Sequence, residues 1–130
     1  MATMAQETDQ ITAAVQLYID GAREGDAAKL QAAFHPEARM WGSLGGQRFD
    51  VPITTMIEMF DGKPCDVDGS YVATVTALEQ TDDTAEVTLA EEGFWGTVSF
   101  VDFFSLARID GEWKIVNKTF VHTGGEPPAG

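Results

Sequence analysis

Residues 97–122, TVSFVDFFSLARIDGEWKIVNKTFVH, read as two β-strands joined by a tight turn. Asp110-Gly111 lies between two alternating runs, and this dipeptide suits a two-residue hairpin turn whose central residues take positive φ. Strand side chains alternate faces, so Val98, Phe100, Asp102, Phe104 and Leu106 share one side of the first strand. A carboxylate in the middle of an apolar row costs free energy unless it has a partner. The opposite face carries Val101 and Phe103, and a strand that is apolar on both sides needs two covers. Partly on that ground, a homodimer through the outer face of the sheet is expected.

Upstream, the pattern changes from period two to period 3.6. From Gln6 to about Glu24, Ile11, Ala14, Val15, Tyr18, Ile19 and Ala22 form one helical stripe, with Glu7 or Thr8 near its start. Gly25 stops that helix and Asp26 caps a second, which carries Leu30, Ala33 and Phe34 and runs to Pro36. A strand over residues 38–44 follows, then a turn at Gly45-Gly46. Pro52 opens a third helix, with Ile53, Met56, Ile57 and Phe60 on one side. Strands over 71–79 and 85–94, joined at Thr81-Asp82-Asp83, lead into the hairpin. Helices first and strands afterwards indicate an α+β fold, with helices over one face of a curved sheet and a cavity on its concave side.

The 130 residues make one domain, with a core over about 6–123 and a tail, 124–130, expected to be disordered. A net charge of −13 opposes binding to nucleic acid or to an anionic membrane surface. Cys65 is the only cysteine, which rules out an intrachain disulfide and fits a cytoplasmic protein. MATMAQETDQ lacks the basic and apolar regions of a secretory signal, and no apolar run approaches a membrane span. Neither a metal nor a cofactor is expected: the two histidines lack ligand spacing, and no phosphate-binding or dinucleotide motif occurs.

The order of these elements, with VQLY in the first helix, then LQAAFHPEARM and the DGEWKIVNK hairpin, resembles the nuclear transport factor 2-like superfamily. The endings AFHPEARMWG and VDFFSLARIDGEWKIVNKTFVH are most similar to its SnoaL-like or "putative lumazine-binding" branch. The resemblance covers roughly Ile11 to His122. It implies a cone-shaped, strongly bent antiparallel sheet packed against about three N-terminal helices, the cystatin-like arrangement. Ketosteroid isomerases of this superfamily resemble the chain at Tyr18 and at Asp102 in FVDFF, which implies a pair of hydrogen-bond donors to an oxyanion. Their catalytic aspartate would fall on Gly42, so the resemblance implies that this base is absent.

The candidate site is built on Asp102, Tyr18 and, at the end of the second helix, His35 as acid, base or oxyanion donor. Trp41, Phe100, Phe104 and Asn117 are expected to join Tyr18 and Asp102 in holding a ligand, with Asp102 as a partner for the Tyr18 hydroxyl. Asn117 is read on the same face as Trp113, Ile115 and Thr119. Phe94 and Trp95 are further aromatic candidates, and His122 ends the last strand. Glu91 and Glu92 are adjacent, so they point to opposite faces; whichever faces inward is of interest for the site, and solvent is the expected place for both. Three functions fit: a binding module for a small apolar or aromatic ligand, a cofactor-free isomerase or dehydratase, and an assembly domain without catalysis.

Overall fold

A computed structural model describes residues 3–127. Three helices precede or interrupt a six-stranded sheet: α1 (Met4–Glu24), α2 (Ala27–Ala33), β1 (Phe34–Leu44), β2 (Gln47–Pro52), α3 (Ile53–Phe60), β3 (Val72–Thr81), β4 (Thr84–Phe94), β5 (Val98–Ile109) and β6 (Glu112–Gly124). The strand order is β2-β1-β6-β5-β4-β3. Every pair is antiparallel except β1 and β6, which run parallel and make the sheet mixed. No helix among the described residues is long and apolar enough to cross a membrane.

The helical stripe holds throughout: Ile11, Ala14, Val15, Tyr18, Ile19 and Ala22 are all buried. The helix begins earlier than expected, because Thr3 accepts the Gln6 amide while Gln6 reaches back to the Thr3 amide. Such a capping box satisfies two free amides and is worth about 1 kcal/mol. Gly25 closes the helix at φ 67°, and the Asp26 carboxylate accepts from the amides of Ala28 and Lys29 to start α2.

Helix α2 stops at Ala33, short of Pro36. Phe34 is already extended, and β1 begins there. The proline demands an extended His35, so the strand starts two residues before it. β2 was not expected; it is a six-residue edge strand with largely exposed side chains. In the hairpin, Asp110 and Gly111 both take positive φ, 53° and 82°.

Bulges bend the sheet. β4 and β5 lose register between Glu91 and Phe94, and β6 carries Val116 as an extra residue opposite β5. Gly93, within the β4 bulge, has φ 68° and lies so close to the Ser70 carbonyl that a Cβ would approach it to 2.2 Å. Only glycine fits there. Beyond β6, Gly125 and Glu126 lie beside the β4–β5 turn, where Thr97 Oγ1 donates to the Glu126 carbonyl at 2.9 Å, and Pro127 lies against Gly45 in the β1–β2 turn. The rest of the expected disordered tail, 128–130, lies outside the described residues.

Candidate functional site

The apolar row of β5 is buried as its alternation requires: Val98, Phe100, Asp102, Phe104 and Leu106 all face the helices. Asp102 is 1% exposed, and its Oδ2 meets no donor among the described residues. Three other polar side chains converge on the same place. Tyr18 comes from α1, Glu91 from β4 and Lys118 from β6, and Glu91 and Lys118 are 1% and 4% exposed.

These groups form a chain. Lys118 Nζ donates to Tyr18 Oη at 3.1 Å, and the Tyr18 hydroxyl lies 3.4 Å from both oxygens of Glu91. Tyr71 Oη donates to Glu91 Oε2 at 2.5 Å. Tyr18 therefore pairs with Glu91, and not with Asp102, the partner expected across the cavity. Asp102 lines the same cavity as Glu91, where its charge acts on the Glu91 carboxyl.

Burial is the first cause that raises the Glu91 pKa well above its usual value of 4.5, and the Asp102 charge is the second; Lys118 and the Tyr71 hydroxyl oppose them. Burial likewise raises the pKa of both Tyr18 and Tyr71, with Asp102 and Glu91 respectively adding to it, so both phenols keep their protons. Lys118 has no carboxylate within 4.0 Å among the described residues. Its ammonium group sits over aromatic faces instead, 4.9 Å from the ring centre of Tyr18, 5.5 Å from Phe120 and 5.9 Å from Phe60. The sulfurs of Met40 and Met56 lie 3.9 and 3.7 Å from it.

The four groups close the inner end of a cavity of about 40 Å³, room for a few waters or the head group of a ligand. Phe94, Phe100 and Phe120 form its walls. Leu44, Phe49, Met59 and Trp95, all partly exposed, form the mouth. A polar end behind an apolar throat is the usual arrangement of a small-molecule site.

The structure brings together only part of the expected site. Tyr18, Asp102 and Phe100 line the cavity; Phe104 is buried behind it, its ring 5.1 Å from that of Tyr18. Trp41 points to the outer face, 39% exposed, with Arg39 stacked on it, because Met40 and Gly42 are the inward residues of β1. Asn117 faces outward as well. The Val116 bulge reverses the alternation of β6, so Trp113 and Ile115 face inward before it, and Lys118 and Phe120 after it. His35 lies on β1 away from the cavity, where its Nδ1 accepts from the Glu37 amide at 3.0 Å. His122 turns back to the carbonyls of Gly124 and Gly125.

Of the cluster, Lys118 was not among the expected residues, and Glu91 was considered but expected in solvent, whereas it is buried. Glu91 continues the inward series Ala85, Val87, Leu89, so the period-two signal was present and only the habit of placing carboxylates in water hid it. Position 42, where an isomerase-like base would stand, has no space for one: a Cβ on Gly42 would lie 2.5 Å from the Phe120 ring. The carboxyl groups that line the cavity are those of Glu91 and Asp102. Among the described residues there is no cluster of three or more histidine, cysteine or acidic side chains disposed to hold a metal ion.

Residues 6–121 match the family described as "Putative lumazine-binding". A protein called aldolase FrzH, from Cladobotryum sp, is 26% identical over 117 residues, 89% of this chain and 91% of its own length. Among solved structures, an NTF2-like protein of unknown function from Methylobacillus flagellatus superposes with a TM-score of 0.84 at 26% identity, covering 95% of this chain and 96% of that one. A similar protein from Shewanella baltica gives 0.84 at 21% identity, covering 96% and 100%. A ketosteroid isomerase-like protein from Erwinia carotovora atroseptica gives 0.71 at 18%, covering 92% and 98%. The fold is that of the NTF2-like superfamily.

Proposed function

We propose that this chain, which belongs to the family described as "Putative lumazine-binding", binds a small apolar or aromatic carbonyl compound and moves a proton at the carbon beside the carbonyl. The observation that carries this reading is the buried cluster of Tyr18, Glu91, Asp102 and Lys118 at the inner end of an apolar cavity. Abstracting such a proton needs a base whose affinity for protons is tuned upward, and a positive group for the electron density that moves toward the oxygen. The Glu91–Asp102 pair is the base. Burial beside the Asp102 charge raises the affinity of Glu91 for a proton. Lys118 is the positive group, and Tyr18 fixes it in place through the 3.1 Å hydrogen bond.

Aldol bond formation and double-bond isomerisation both begin with this proton transfer. The reading therefore agrees with the name of the fungal relative and with that of the isomerase-like structure. The aromatic walls and mouth provide for the rest of the ligand.

The test uses phenylacetone in deuterated buffer, with exchange at its α-carbon followed by NMR. The expected result is exchange well above the buffer rate, lost in Glu91→Gln. Exchange at the buffer rate for this ketone and for a panel of aryl and alkyl ketones would remove the catalytic reading.

The proposal includes a homodimer through the outer face. Phe103, Val121 and Trp41 are 43%, 50% and 39% exposed there, and strand pairing places Thr119 between Trp41 and Phe103. Light scattering should then give twice the 14.1 kDa chain mass; a single chain mass at micromolar concentration refutes the interface.

A further inference from the structure

We infer that Lys118 acts covalently, its amine forming an imine with the carbonyl carbon of an aldehyde or ketone bound in the cavity. This deepens the carbonyl-chemistry reading above and rests on it. Three features single Lys118 out from the chain's other lysines. It is 4% exposed and lines the cavity, whereas Lys29 and Lys114 lie at the partly exposed surface and Lys63 is exposed. No carboxylate among the described residues holds its nitrogen in an ion pair, so the nitrogen is not tied down on the side facing the ligand. It also has an internal path for its proton.

That path is the hydrogen-bonded chain from Lys118 Nζ to Tyr18 Oη at 3.1 Å and on to the Glu91 carboxyl at 3.4 Å. To attack, the ammonium must shed a proton. Tyr18 takes it while passing its own to the Glu91–Asp102 pair, and the phenol is left unchanged. The free amine adds to the carbonyl carbon, a C–N bond forms, the C=O π electrons move to oxygen, and that oxygen takes the surplus proton of the newly bonded nitrogen to give a neutral carbinolamine. The pair then returns a proton to the carbinolamine hydroxyl, which leaves as water while the nitrogen lone pair forms the C=N bond. The balance is one ammonium and one carbonyl compound giving one iminium ion and one water, with the charge conserved. The rings of Tyr18, Phe120 and Phe60 that receive the ammonium receive the iminium equally well. An iminium is a stronger electron sink than a ketone, so the same pair then removes the neighbouring proton with less effort.

The experiment treats the wild-type chain with benzaldehyde and sodium cyanoborohydride at neutral pH and locates the benzylated lysine by peptide mass spectrometry. The expected result is one benzyl group per chain, on Lys118, formed at least about tenfold faster than on any other lysine, with Glu91→Gln slowing it by about tenfold or more through loss of the proton acceptor. Labelling spread over Lys29, Lys63 and Lys114 with Lys118 unmodified overturns the proposal. The phenylacetone exchange assay separates the two readings. Exchange without label on Lys118 leaves proton transfer standing and removes the covalent step. Label on Lys118 without exchange keeps the covalent step and removes the proton transfer, and absence of both removes the two together.

Discussion

Two glutamates of this chain show what surroundings do to one functional group. Glu7, on α1, joins a surface network: it accepts from Gln80 Nε2 at 3.0 Å and pairs with Arg108, which also holds Asp83. Those hydrogen bonds, Gln80 first, lower its pKa. Glu91 sits beside another carboxyl at the buried inner end of the cavity, and there burial raises the pKa. The first arrangement favours the carboxylate and makes it inert; the second favours the acid and leaves a base that binds its proton tightly.

The contrast yields an ordered set of expectations. The largest effect belongs to Glu91→Gln, which should lower α-proton exchange of a bound ketone by about 10²–10⁴-fold, while Glu7→Gln leaves the rate unchanged. Next comes Gly42→Asp, the substitution that would restore an isomerase-like base. The side chain would collide with Phe120, and urea denaturation should show a loss of about 1–3 kcal/mol.

A third expectation concerns pH and has opposite signs in the two regions. Unfolded Glu91 ionises near 4.5, but in the folded chain it ionises only at a higher pH, so the folded state holds the extra proton between the two values. Its contribution is complete below 4.5 and is lost as pH rises through the folded value. Glu7, with its lowered pKa, contributes above the usual value and loses that contribution as pH falls through the folded one. Denaturation series on Glu91→Gln and Glu7→Gln should therefore diverge from wild type on opposite sides of pH 4.5. The smallest effect is that of Arg108→Gln, whose stability loss should shrink as salt is added, because the network is open to solvent.

The fold was legible wherever the sequence kept an unbroken period. The α1 stripe, the β5 row and the Asp110-Gly111 turn all carry through to burial and φ values. Site residues were lost where the period broke. Counted forward from Trp113 and Ile115, the inward series of β6 reaches Asn117; counted back from Phe120, it reaches Lys118. The two counts disagree by one residue, and that disagreement is the trace of the Val116 bulge. A strand that satisfies both ends only with an extra residue announces a bulge, and bulges gather next to active sites. His35 was misplaced for a different reason: Pro36 was read as ending a helix, although the extended geometry it imposes on its predecessor starts a strand. Asp102 was found because an acid among phenylalanines stands out, whereas Glu91, beside Glu92, looked like surface.

The proposed chemistry depends on Glu91 holding its proton more tightly than an ordinary glutamate does. Its side-chain carboxyl carbon, labelled with ¹³C and followed by NMR through a pH titration, reports this directly. The account predicts a midpoint clearly above 4.5, moving downward in Asp102→Asn as the neighbouring charge is removed. A wild-type midpoint at or below 4.5 would contradict it, because Glu91 would then be an ordinary weak carboxylate base without the raised proton affinity that the proposed chemistry needs.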